Sequence, residues 1–153
     1  MSKLFVQTML AAVLVSGISG PAFAGGDEHS CSVRTLRGRY VFSASGFNID
    51  AVSRLPVPKA LIEVIDFNGD GSLEVTGATR SQNGVISRSP SSVGTYTVAE
   101  DCTGTITFAG PAFDIFLSPK GHKFWLIQTN PDSVFQGSAT RTVRELNDDH
   151  DRH

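Results

Sequence analysis

From Arg39 onward, apolar and polar residues alternate over short stretches that are cut apart by turn-forming residues. Tyr40, Phe42 and Ala44 fall on one face of an extended run, and Val41, Ser43 and Ser45 fall on the other. Tyr96 and Val98 alternate with Thr95 and Thr97, and Ile106 and Phe108 with Thr105 and Thr107. Phe113, Ile115 and Leu117 alternate with Asp114, Phe116 and Ser118. A period of two marks a half-buried strand, and no stretch after the first two dozen residues carries a helical stripe longer than two turns.

The breaks are equally informative. Asn68-Gly69-Asp70-Gly71 is hairpin chemistry, because Gly and Asn tolerate positive φ. Ser81-Gln82-Asn83-Gly84, Asp101-Cys102-Thr103-Gly104, Gly110-Pro111, Pro119-Lys120-Gly121 and Asn130-Pro131-Asp132 punctuate the rest. The pattern predicts about nine strands, over 40–45, 60–67, 72–79, 85–88, 93–98, 105–108, 112–117, 122–129 and 134–142, with 48–59, which holds Pro56 and Pro58, as a loop. Tight turns between successive strands force antiparallel neighbours. The predicted fold is therefore all-β, an up-and-down meander closed into a barrel of about eight or nine strands, with a β-sandwich as the alternative. Phe124-Trp125-Leu126-Ile127 is apolar on both faces, which predicts a strand covered on both sides.

The start of the chain follows different rules. Lys3, the apolar run Leu4–Val15 and the Ala22-Phe23-Ala24 motif read as a signal peptide cleaved after Ala24. The run is too short to span a membrane. The domain reading is a leader over 1–24, a flexible lead-in over 25–33, the barrel over 34–142 and a disordered charged tail over 143–153. The expected location is the periplasm or the medium, with no membrane span.

Charge narrows the partners. The chain has 13 Lys and Arg against 15 Asp and Glu, and only Lys3 falls in the leader, so the mature chain is mildly acidic. Nucleic acid and anionic membrane surfaces need a basic face and are not expected partners. Cys31 and Cys102 are the only two cysteines, and in an oxidising compartment an even pair reads as a disulfide. Closing so long a loop contributes roughly 4 kcal/mol in the chain-entropy model.

Candidate chemistry is sparse. Asp66-Phe67-Asn68-Gly69-Asp70-Gly71-Ser72 matches the first half of a calcium loop, but Gly77 stands where the closing bidentate Glu belongs, so a plain hairpin is the better reading. His150 and His153, among Asp148, Asp149 and Asp151, are the only weak metal-ligand candidates, and no metal or other cofactor is expected. No G-x-S-x-G elbow occurs. Glu63 alternates with Leu61 and Ile65. An outward, solvated carboxylate is the ordinary expectation there, whereas an inward one would have a raised pKa and could serve as an acid or base.

Several short signatures occur in order: Leu36-x-Gly38-x-Tyr40-x-Phe42, Phe67-Asn68-Gly69-Asp70-Gly71, Gly94-Thr95-Tyr96-Thr97-Val98 leading to Asp101-Cys102-Thr103-Gly104-Thr105, and Gly137-Ser138-Ala139-Thr140-Arg141. Over residues 34–142 this arrangement resembles small secreted bacterial proteins whose barrels are similar to the allene oxide cyclase and lipocalin (calycin-like) type. The resemblance implies a barrel that holds a small apolar molecule, and carries no cyclase residues over. The leading expectation is a non-enzymatic barrel, monomeric or homodimeric, with a ligand cavity lined by Phe42, Tyr96, Phe108 and Trp125. One alternative is an isomerase-like or cyclase-like barrel enzyme using Glu63. Another is a structural or interaction module with a solid core and an outer patch around Val41, Phe116 and Ile127.

Overall fold

A computed structural model describes residues 30–142. It contains one short 3₁₀ turn, Val33–Thr35, and nine strands. They are β1 (Arg37–Ile49), β2 (Pro56–Asn68), β3 (Ser72–Gln82), β4 (Val85–Ser89), β5 (Ser92–Val98), β6 (Thr103–Thr107), β7 (Ala112–Leu117), β8 (Lys123–Gln128) and β9 (Ser133–Arg141). The leader, His29, His150 and His153 lie outside the described residues.

Eight of the strands close into an antiparallel barrel. β1 pairs with β2, β2 with β3, β3 with β5, and the ladder runs through β6, β7, β8 and β9 before β9 returns to β1. The all-β barrel expected from the alternation is thus the observed fold, and the sandwich alternative is not adopted. β4 stands outside the ring. It continues the line of β5 along β3, with Ser89 opposite Ala78 and Ser92 opposite Val75, and bonds to no other strand. Pro90 lies at the break between them, where a missing N–H cannot continue the ladder.

β1 and β2 are longer than the sequence pattern predicts. The expected loop over 48–59 is mostly strand, because Pro56 opens β2 and Pro58, opposite Phe47 on β1, precedes the point where β3 joins at Lys59. Proline is tolerated there because that side of β2 is still an edge. A bulge between Val64 and Ile65 leaves Thr76 without an opposite residue. It lets Leu73 and Val75 face inward at one end of β3 while Ala78 and Arg80 face inward at the other.

One end of the barrel is packed and plugged. Tyr40, Phe67, Tyr96 and Phe124 form a cluster of rings with centroids 5.0–5.7 Å apart. From Cys31 onward the segment before β1 lies across this end, with Cys31 and Leu36 buried. The Tyr96 hydroxyl reaches the carbonyls of Val33 at 2.9 Å and Leu36 at 2.8 Å. Cys31 and Cys102 are joined by a disulfide, with Cα atoms 5.0 Å apart. Cys102 sits in the β5–β6 turn with φ 65°, and Cys31 N–H donates to Glu100 O at 3.1 Å. The bond therefore fastens the plug to the barrel rim, as the paired cysteines led us to expect.

Candidate functional site

The opposite end is open. Its rim is made by the β1–β2 loop, the Asn83-Gly84 turn, Gly110-Pro111 and the β8–β9 loop. Just inside lies a cavity of about 370 Å³, near the lower bound of small-molecule sites. Leu61 from β2, Phe113 from β7 and Phe135 from β9 supply its apolar walls, and Phe108 stands behind Phe113 with ring centroids 6.3 Å apart. Alternation puts these walls inside: Leu61 faces Ala44 across the β1–β2 ladder, and Phe135 faces Gly46 across β1–β9. Gly46 is required by close approach, since a Cβ there would fall 1.9 Å from Val134 O.

Polar residues crown the walls. Asn48, Lys59, Arg80, Gln128 and Asn130 all line the cavity. Lys59 Nζ donates to Gln128 Oε1 at 2.9 Å and lies 4.1 Å from the centroid of the Phe135 ring. Burial, and secondarily the charge of Arg80, push the Lys59 pKa below its ordinary value. Gln128 Nε2 donates to Asn130 Oδ1 at 3.0 Å, which also receives Ala112 N–H at 2.7 Å, so the loop residue Asn130 ties the rim of β7 to the end of β8.

Glu63 lies one inward-facing position further along β2 than Leu61. It stands opposite Phe42 on β1 and Ala78 on β3, so the outward orientation expected for it is not the one adopted. Burial alone raises its pKa to about 7. Among the described residues it has no hydrogen-bond or ion-pair partner.

The four residues expected to line a ligand cavity are placed apart from this one. Phe42 is in the packed core at 1% exposure, and Tyr96 belongs to the plugged end. Phe108 contacts the cavity only through Phe113. Trp125 points outward, 49% exposed, opposite Phe116 on β7 and with the Lys123 ammonium 5.0 Å from its ring. The outer face of β8 is thus uncovered, contrary to the expectation from its apolar run: Trp125 and Ile127 are both exposed, as are Val41 and Phe116. Trp125 also borders a trough on the outer sheet floored by Ser43, Ser45, Gly137 and Ser138, with Ile62 on its far side.

The Asp66–Ser72 segment is a hairpin end. Asp70 Oδ1 accepts from Ser72 N–H at 2.9 Å and Ser72 Oγ–H at 2.7 Å, with Gly69 and Gly71 at positive φ. Among the described residues no cluster of three or more His, Cys, Asp or Glu side chains is placed to hold a metal. No family model, curated protein or solved structure matches this chain.

Proposed function

We propose that this protein is an exported barrel that holds a small, largely apolar molecule in the cavity at its open end. The observation that carries the reading is the asymmetry of the interior. One end is filled by interlocked rings and covered by a disulfide-fastened plug, while the other keeps about 370 Å³ between Leu61, Phe113 and Phe135. The leader-like first 24 residues and the disulfide support an oxidising destination. The closed eight-stranded antiparallel ring supports the calycin-like resemblance. Native mass spectrometry of protein purified from its own host, followed by solvent extraction, tests the reading. A co-purified apolar molecule, or saturable binding of apolar probes that perturbs Phe113 and Phe135, is the expected result. Protein that carries nothing and binds no such probe would refute it.

The inward position of Glu63 favours a second reading, an isomerase-like barrel in which this carboxyl moves a proton on the bound molecule. Its test is a pH–rate profile of any conversion found for the extracted ligand. An inflection near neutrality that disappears in Glu63→Gln, with binding retained, is the expected result. Unchanged turnover in that variant would exclude the role.

A further inference from the structure

On the outer face of the barrel, four ladders bring one row of side chains into register. Phe116 on β7 stands opposite Trp125 on β8, Trp125 opposite Ser138 on β9, Ser138 opposite Ser43 on β1, and Ser43 opposite Ile62 on β2. Phe116 and Trp125 stand together at one end of the row and Ile62 at the other, all three exposed. Between Trp125 and Ile62 the serines floor a trough of about 560 Å³. The two flanks are three strand spacings apart, about 14 Å along the sheet.

The trough is neutral, and its polar groups work in both directions. Among the described residues no charged side chain lines it; Lys123 stands beside the Trp125 ring, with Nζ 5.0 Å from the centroid. The hydroxyls of Ser43, Ser45 and Ser138 and the amide of Gln136 bond to no other described side chain. Each of these groups can both donate and accept. The layout is the reverse of a protein–protein interface, in which an apolar centre is ringed by polar residues. Here hydroxyls hold the centre and large apolar side chains flank them.

We propose that this face is a second binding site, for a neutral oligosaccharide, with one pyranose ring stacked on Trp125 and the hydroxyls of the next held by Ser138, Ser43 and Gln136. A pyranose is amphipathic in the matching way. Its C–H groups carry a weak positive charge that meets the negative face of an aromatic ring, and its rim of hydroxyls donates and accepts. A neutral sugar also asks for no ion pair, and the trough offers none. The site lies outside the barrel, so it stands or falls independently of the cavity reading.

The test titrates the disulfide-intact protein with maltotriose, cellotriose and triacetylchitotriose, to high millimolar concentration, by calorimetry and by the emission of Trp125, the single tryptophan. The expected result is saturable binding of at least one of the three, with a blue shift of the emission and no loss on adding salt. Trp125→Ala should weaken that binding by at least about tenfold, as truncation of an aromatic anchor does. Trp125→Phe, which keeps a ring, should recover part of it, and the Ser43→Ala, Ser138→Ala double variant should weaken it with Trp125 in place. Binding of none of the three sugars would overturn the inference. So would binding that survives Trp125→Ala, or binding that salt abolishes, which would belong to the charge of Lys123. A dimer seen by light scattering and dispersed by Trp125→Ala would give the face to a second copy of the chain and overturn it as well.

Discussion

Arg141, the last residue of β9, clasps the hydroxyl of Tyr40 on β1: its Nε and Nη2 donate to that oxygen at 3.0 and 2.8 Å, and the guanidinium carbon lies 5.3 Å from the ring centroid. The hydroxyl in turn donates to Gly121 O, and Arg141 Nη2 also donates to Thr35 O at 2.8 Å. The first strand, the last strand, the β7–β8 turn and the plug therefore meet at one phenol–guanidinium pair. Burial raises the Tyr40 pKa, with Arg141 opposing, so the hydroxyl stays a donor at neutral pH.

Tyr40→Phe leaves the Gly121 carbonyl and part of the guanidinium without partners. A loss of about 1–3 kcal/mol is expected, as for other buried polar groups stripped of a partner. Urea denaturation checks it. A variant as stable as the parent would show that water replaces the hydroxyl at no cost.

Reducing the disulfide, or replacing both cysteines by serine, should release the plug. The bridged residues are 71 apart in sequence, for which the chain-entropy model gives about 4 kcal/mol. Calorimetry with and without reductant should show a melting temperature lower by on the order of 10 °C. Amide exchange at Val33–Leu36 should rise further than elsewhere, and protection unchanged there would mean that Tyr96 holds the plug without help.

Glu63 should make stability depend on pH in a defined direction. Its folded pKa, about 7, lies above the ordinary value of 4.5, so the folded state keeps a proton that the unfolded state has lost. The natural protein should lose stability as pH rises from 4.5 to 7, by at most about 3 kcal/mol, and the loss should persist above that range. Glu63→Gln should match the parent near pH 4 and exceed it near pH 8. Parallel pH profiles of the two proteins would contradict the inward placement.

Trp125 is the single tryptophan and faces solvent beside Lys123. Its fluorescence should be quenched by iodide in the native protein nearly as well as after unfolding, since the ammonium draws the anion close. Emission resistant to iodide would place the indole under cover. By the same geometry this indole is a poor reporter of the cavity, and signals from Phe113 or Phe135 are the ones to follow.

The barrel was legible in the sequence because its evidence is local: alternation sets which side chains face in, and turn chemistry fixes the order of neighbours. The disulfide was legible too, from two cysteines in a chain with a leader-like start. The cavity residues were less so. Asn48, Lys59 and Ser133 lie at or near strand ends, where polar residues and prolines read as loop, and their convergence with Gln128 depends on ring closure that no local window contains. Lys59, Leu61 and Glu63 do share a face at a period of two, which was the available signal for Lys59. Ten Phe residues drew attention to aromatic positions generally, yet whether a ring packs, lines a cavity or faces water depends on register. Trp125 differs from Phe124 and Leu126 only in parity, and on this strand parity is outward.

Ring closure also sets a schedule for folding. The register that seals the barrel puts Tyr40 opposite Arg141 and Asn48 opposite Ser133, so the earliest strand to be synthesised waits for the latest before its second edge is satisfied. Contacts so distant in sequence fold slowly, because loop closure must precede the pairing that rewards it. A chain that ends before Ser133 would lack one ninth of the strands and yet bare two edges at once, those of β1 and β8, each able to pair with a neighbouring copy. Incomplete copies are for that reason expected to aggregate out of proportion to the residues they lack.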